Sequence, residues 1–498
     1  MFLRSISLFL LSLMLMAPVD AQTEDQEARA LAFVEALGQS DPAVYEQMMQ
    51  THRQSEALAS MSVAERQQSF ESLRQELGQF ELLGVMIASP IETRTLIQPS
   101  TSAEPLEIVF SHDPEEAYKL IRIEFVPFAP EMSLSDAGDT LAELLNALIA
   151  QSNIPAFAVA VFSDSELIEQ ASVGTRELGK DAAISERSSF HWGSLTKSVT
   201  ATLAAQLVAR EVIAWDTTIA EVFGSSEVRE DYHAVTLSDL LNHRSGLPGY
   251  DDFEASYVQQ FTSQAPDNAS KQRALMAASV LKDDAPIYPP SHGHRYSNAG
   301  YIVAGVMLEK SMGQSWEQLV AEYVFKHFNM QGAGFGWPSA TQDDRPSGHF
   351  GMDAESLEVA PEGVMSDLMQ LAAPSGNVQS TLADITQYSM AHLAGINGKG
   401  SSLSAKAFQY LHTPPAAEQQ RQQPYSYGWG HVVLESGINM QWHNGGAGSF
   451  YAEIRLIPEL NLGFVIMSNA GYAERLMPPL WDALKARYIE TPDASLSR

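Results

Sequence analysis

"HWGSLTKSVTATLAAQLV", residues 191 to 208, sets a serine and a lysine three apart where a glycine gives way to an apolar helical run. A serine hydroxyl is a weak nucleophile until a neighbouring base takes its proton. A lysine three residues later on a helix lies on the same face, within reach of that proton. Ser194 stands at the helix N-terminus, where backbone N–H groups and the macrodipole favour negative charge. For Lys197 to act as base, burial or nearby cations must lower its pKa, and the run "VTATLAAQLVA" supplies an apolar setting. The same residues also describe an ordinary N-cap serine followed by a snorkelling lysine, so Ser-x-x-Lys alone does not decide between the two.

Two further clusters bear on the choice. "HRYSNAGYIVAG" places Tyr296 and Asn298 two apart, where a loop meets an apolar helical run. A tyrosine there can relay protons. "QWHNGGAGSF" places His443 just before Gly445 and Gly446 at a strand end, where missing side chains let backbone N–H groups approach a ligand. Singly, Tyr296 reads as a rim aromatic and His443 as a strand histidine; the ordered set of three motifs points to catalysis.

Working outward, the 498-residue chain has room for several domains and an ordinary hydrophobic fraction of 45%. Arg4, the stretch "SISLFLLSLMLM", Pro18 and a small-residue site ending at Ala21 have the layout of a secretory signal peptide over residues 1–21. That stretch is too short to span a bilayer comfortably. The expectation is an exported protein, periplasmic or secreted, without a stable membrane anchor. The chain has no cysteine, which excludes disulfides, thiolate metal sites and a cysteine nucleophile. A formal charge of −31 repels phosphate backbones, so nucleic acid is not an expected partner.

Residues 22–130 read as an accessory α+β domain. "ARALAFVEAL" spaces Ala30, Phe33, Val34 and Leu37 as one helix face, and a second helix is expected over 64–77. "FELLGVMIA", "TRTLI", "LEIVF" and "KLIRIEF" follow as strands, the last alternating Ile121, Ile123 and Phe125 with Arg122 and Glu124. This order resembles the nuclear-transport-factor-like domains. "VPFAPEMSLSDAG" reads as a linker. The second domain, 131–498, opens with the helix "DTLAELLNALIAQSN" and the strands "IPAFAVAVFSD" and "ELIEQASVG"; it closes with four strand-like runs between 425 and 470 and a final helix that Pro478 and Pro479 are expected to interrupt. Early and late strands around a helical middle imply one sheet built from both ends of the domain.

Ser-x-x-Lys, Tyr-x-Asn and His-x-Gly in this order resemble the serine β-lactamase and penicillin-binding-protein superfamily, specifically its class C-related D,D-peptidases and esterases. "LLNHRSGLPG" (240–249) and "GNVQSTLADITQY" (376–388) are similar to recurrent stretches of that group, and Thr381 with Asp384 also forms a local helix-start signal. The resemblance covers about 140 to 485 and implies an α+β fold, an antiparallel sheet flanked by helices with a helical subdomain. It implies that Ser194 becomes an acyl-serine, that Lys197 takes its proton, and that Tyr296 is the acid/base toward the leaving group. Asn298 would bond Lys197 or a substrate amide. The N–H groups of Ser194 and Gly446 would form an oxyanion hole, with His443 and Gly445 beside the substrate. No metal or cofactor is required.

The third motif departs from many β-lactamases, which have lysine where this chain has His443. Lysine stays charged, whereas histidine titrates near neutrality, which weakens recognition of a carboxylate. Ester or peptide hydrolysis of a small-molecule substrate is therefore favoured over β-lactamase activity, and a non-catalytic penicillin-binding-like sensor is the remaining alternative. A nucleophile-elbow hydrolase is excluded because Gly-x-Ser-x-Gly does not occur. A zinc hydrolase lacks His-Glu-x-x-His, and the pair His292 and His294 reads as solvated. Composition leaves the acyl donor and the oligomeric state open.

Overall fold

The computed structural model describes residues 21–490, except 60, 90–91, 102–105, 114–115, 117–118, 128–131, 133, 135–136, 250–254, 267, 287–288, 292, 339–344, 352–355, 362–365, 401, 420, 422–423, 435 and 447. The leader, most of the linker and His292 fall outside the described residues. The chain divides into two compact units at Ala129/Pro130. No helix among the described residues is long and apolar enough to cross a membrane.

The first unit packs α1 (Ala21–Gly38), α2 (Pro42–His52), α3 (Ser55–Ala59) and α4 (Val63–Leu77) with a four-stranded antiparallel sheet. Its strands lie in chain order, β1 (Phe80–Ser89), β2 (Glu92–Pro99), β3 (Leu106–Asp113) and β4 (Lys119–Pro127). The α1 face read from the sequence is the buried one, with Ala30, Phe33, Val34 and Leu37 in the core beside Phe70, Ile97, Ile108 and Phe110. Ser62 and Glu65 start α4 with a reciprocal capping box. Helix α2 was not singled out from sequence, although Tyr45, Met48 and Met49 give it a buried face; it starts from Asp41 and Pro42, a capping side chain followed by a residue preset for the first turn.

The second unit is built on a seven-stranded antiparallel sheet. In spatial order its strands are Tyr425–Ser426, Trp429–Val433, Asn439–Gly446, Tyr451–Ile457, Leu462–Ser468, Ala156–Phe162 (β5) and Leu167–Gly174 (β6). Both ends of this domain thus meet in one sheet, as the order of the sequence runs implied. Strand β5 is buried at every residue because both sheet faces are covered. Phe157, Val159 and Val161 join the core under α5 (Leu141–Ser152) and the C-terminal helix, while Ala158, Ala160 and Phe162 face the larger helical core. Alternation along one strand therefore assigns two different cores.

Pro478 and Pro479 do not interrupt the last helix. It begins at Met477, so both prolines sit in its first turn, where the missing N–H groups have no intrahelical partner to lose. The helix of the opening stretch, α6 (Thr196–Val208), is buried along nearly its whole length. Its polar side chains are therefore satisfied inside the protein rather than by water: Ser198 Oγ donates to Leu195 O at 2.8 Å, and Thr202 Oγ1 lies 3.0 Å from Tyr388 OH.

Candidate active site

Ser194 lies in a 3₁₀ turn, Gly193–Leu195, that runs directly into α6. Trp192 anchors the turn from behind, its N–H bonding Val378 O at 2.9 Å and its indole N–H bonding Ser380 Oγ at 2.9 Å. Gly193 has φ +51°, and a Cβ there would stand 2.9 Å from Gly446 O. The glycine before the serine is thus required twice, by backbone conformation and by the neighbouring strand.

Lys197 follows one helical turn later and is fully buried. Its Nζ lies 2.9 Å from Ser194 Oγ, 2.7 Å from Asn298 Oδ1 and 3.0 Å from Ser375 O. The Tyr296 ring centre is 4.6 Å from the same nitrogen, close enough for a cation–π contact. Three of the residues singled out from sequence therefore meet around Ser194. The carbonyl of Ser375 was missed, because a backbone acceptor leaves no mark in residue identity. Two threonines of α6 hold it in place: Thr200 Oγ1 donates to Pro374 O at 2.6 Å, and Val378 N donates to Thr196 Oγ1 at 3.0 Å.

Asn298 and Tyr296 are positioned by the stretch 240–249. His243 Nδ1 accepts from Ser297 N at 3.0 Å, Ser297 Oγ donates to Pro248 O at 2.7 Å, and Asn298 N donates to Gly249 O at 2.8 Å. Ser297 Oγ also caps the helix that Asn298 begins, accepting from Gly300 N at 3.0 Å. The His243 ring packs against Tyr296 with centroids 4.4 Å apart. His294 corrects the reading of a solvated pair. Its side chain is only 12% exposed and stands 3.2 Å from the buried Glu418, which also binds Arg244 at 2.8 Å.

The strand Asn439–Gly446 forms the opposite wall. A Cβ on Gly445 would lie 1.8 Å from Trp192 O and 2.8 Å from Ser194 N, so this glycine exists to let the strand touch the serine turn itself. That close approach brings the end of the strand beside the Ser194 N–H. Gly446 is different: a Cβ there meets only Glu474 Oε2, at 3.9 Å. Gly445→Ala is expected to cost about 3 kcal/mol or more by overpacking rigid backbone, whereas Gly446→Ala should fold with nearly unchanged Tm. Thermal unfolding followed by circular dichroism checks this, and equal Tm values for the two variants would contradict it.

His443 behaves differently from the sequence expectation. Its ring is buried, with Nε2 at 3.1 Å from Tyr425 OH and Nδ1 at 2.5 Å from Asn444 O. Donation from Nδ1–H to that carbonyl leaves Nε2 to accept from the tyrosine, a neutral tautomer satisfied on both sides. Burial is the chief cause that pushes its pKa down to about 3. It does not titrate near neutrality and presents no charge there. Tyr425 was not singled out from sequence; its link to His443 depends on two neighbouring strands.

A buried polar chain runs behind α6. Tyr388 OH bonds Ser198 Oγ at 3.1 Å and Thr202 Oγ1 at 3.0 Å; Thr202 lies 3.3 Å from His392 Nε2, and His392 Nδ1 lies 2.8 Å from His412 Nε2, which bonds Gln441 through its other nitrogen. The chain ties the helix of Ser194 to the strand of His443. Among the described residues, no group of three or more His, Asp or Glu side chains could hold a metal ion.

Residues 141–487 match the family model described as Beta-lactamase, and the chain belongs to that family. It is 28% identical over 349 residues to penicillin-binding protein 4 of Amycolatopsis lactamdurans, covering 69% of this chain and 88% of the relative. It is 27% identical over 353 residues to the unguisins hydrolase ungD of Aspergillus violaceofuscus, covering 64% of this chain and 59% of that protein. In fold it is similar to an octameric penicillin-binding protein homologue from Pyrococcus abyssi, with TM-score 0.53 and 20% identity over 68% of this chain and 75% of the other. The chain is thus a β-lactamase-fold member of a serine hydrolase family, with the α+β architecture expected from its motifs.

Proposed function

We propose that the protein is an exported serine hydrolase that cleaves an uncharged ester or peptide bond through an acyl-serine intermediate. The observation that carries this reading is the set of three oxygen contacts around the buried Lys197 Nζ. A neutral amine donates two hydrogens and accepts one, so Asn298 Oδ1 and Ser375 O can take its hydrogens while its lone pair receives the Ser194 proton. The resulting ammonium donates to the same three oxygens. Proton transfer from serine to lysine therefore needs no rearrangement of heavy atoms.

In the proposed reaction, Ser194 Oγ attacks the acyl carbon as its proton passes to Lys197. Negative charge develops on the carbonyl oxygen and is met by the N–H groups of Ser194 and Gly446, an interaction of the kind worth about 3 kcal/mol. Tyr296 lies on the Lys197 side of the site and returns a proton to the leaving alkoxide or amine as its bond to carbon breaks. Water then attacks the acyl-serine, releasing the carboxylic acid and restoring the serine hydroxyl. The neutral His443 disfavours substrates recognised through a carboxylate at that wall, which argues for esters and neutral peptides over β-lactams. The naming of one relative as an unguisins hydrolase agrees with hydrolysis as the activity.

Ser194→Ala is expected to reduce turnover of p-nitrophenyl butyrate by about 10³-fold or more. It should also abolish any covalent adduct seen by intact mass with that ester. Turnover unchanged in the variant would reject the acyl-serine; no turnover by the wild-type protein on any acyl donor would favour the binding-protein alternative.

A further inference from the structure

The strand Asn439–Gly446 ends beside a carboxylate that the reaction above does not use. Residues alternate between the two faces of a strand, so Asn444 and Gly446 lie on the face opposite to His443 and Gly445. Gly445 is closed in by the serine turn, whereas Gly446 is exposed at the strand end. Among the described residues outside its chain neighbours, one heavy atom lies within 4 Å of a Cβ built on Gly446: Glu474 Oε2, at 3.9 Å. A small group placed at this strand end therefore meets a carboxylate oxygen first.

Glu474 comes from the 3₁₀ turn Gly471–Leu476 and is exposed. Asn444 Nδ2 donates to its Oε1 at 3.2 Å, which holds the carboxyl group on the strand. No cation among the described residues forms an ion pair with it; the Arg475 guanidinium lies over the Tyr472 ring, 5.8 Å from its centre. Glu453, the register partner of Asn444, shows the contrast. It is buried and satisfied, with Arg455 at 2.8 Å and the Tyr451 hydroxyl at 3.1 Å. Desolvation, and then the charge of Glu453, raise the pKa of Glu474, so a cation brought to its carboxylate offsets a repulsion already present.

We propose that Glu474 determines specificity: the hydrolase prefers substrates carrying a positively charged amine a few bonds from the scissile carbonyl, with the amine on the Glu474 carboxylate. This rests on the acyl-serine reading above and narrows its substrate class. The carbonyl oxygen is held at the Gly446 N–H in that reading, and Glu474 stands beside the same residue, so a substituent next to the carbonyl reaches the carboxylate without displacing a side chain at Gly446. An anionic substituent there meets like charge. The formal charge of −31 acts in the same direction at longer range, drawing cations toward the protein.

Two near-isosteric ester pairs test this on the full chain. p-Nitrophenyl β-alaninate against p-nitrophenyl butyrate puts the cation on the acyl side; butyrylcholine against 3,3-dimethylbutyl butyrate puts it on the leaving group. Each kcat/KM is divided by the spontaneous hydrolysis rate of its ester, so that intrinsic reactivity cancels. In at least one pair the cationic ester is expected to be favoured about fivefold, the scale of a carboxylate–ammonium pair at an exposed site. Glu474→Gln should bring that ratio toward one, Glu474→Lys should reverse it, and added salt should weaken it. A substitution that only loosened the fold would slow both members of a pair and leave the ratio where it was. No cation preference in either pair, or a preference unchanged in Glu474→Gln, would overturn the inference and leave Ser194-dependent turnover of the butyrate standing. No turnover of any of the four esters would reject the acyl-serine reading and this inference together.

Discussion

Replacing Lys197 by methionine is expected to lower kcat/KM for an activated ester by about three orders of magnitude, the scale of a lost general base. The substitution keeps the aliphatic stem that fills the buried space and removes the nitrogen that bridges Ser194 Oγ, Asn298 Oδ1 and Ser375 O. Ser194 then has no neighbour to take its proton, and acylation slows with turnover. Lys197→Arg should be equally inactive, since a guanidinium keeps its protons and cannot serve as base. Stopped-flow measurement of the first turnover separates acylation from release of the acyl group. A wild-type acylation rate in Lys197→Met would sink the assignment, provided circular dichroism shows the variant folded.

The second large effect is steep acid unfolding. Burial is the chief cause that holds His191 and His431 down to about 4 and His392 and His443 to about 3, with His243 and His412 also well below the ordinary imidazole range. In the unfolded chain each takes up a proton below about pH 6.5, while the folded chain keeps them neutral. The unfolded state therefore binds more protons, and stability falls as pH drops from about 6.5 toward 3, by about 1.4 kcal/mol per pH unit for each histidine. Glu418, held below its usual range chiefly by its bond to His294 against the opposing pull of burial, acts with the same sign at lower pH. A cooperative loss of near-ultraviolet circular dichroism is expected between about pH 6 and 4, with several protons taken up per molecule. A native spectrum retained at about pH 4 would contradict it.

Much of the architecture was legible from residue pattern. Helix starts could be read where a side chain meets its own backbone: Thr381 and Asp384 form a capping box, as their spacing implied. Strand β5 could be read as apolar throughout, but only the sheet order shows that its alternate residues serve separate cores. The final helix shows the opposite case. Pro478 and Pro479 looked like breaks because prolines stop helices from within, and their harmless first-turn position depends on the 3₁₀ turn, Gly471–Leu476, that precedes them.

In the site, spacing alone put Lys197 within reach of Ser194, although Ser194 proves to lie in the 3₁₀ turn before α6. It was the resemblance of three ordered motifs to a known family, not a local rule, that picked out Asn298, Tyr296 and His443 as partners from distant segments, because helix periodicity and capping describe only neighbouring residues. The protonation of His443, the Ser375 carbonyl at Lys197 and the backbone contact that requires Gly445 belong to the tertiary structure alone. Each depends on the desolvation or the acceptors that non-neighbouring segments bring to a group, and these arise only when the chain has packed.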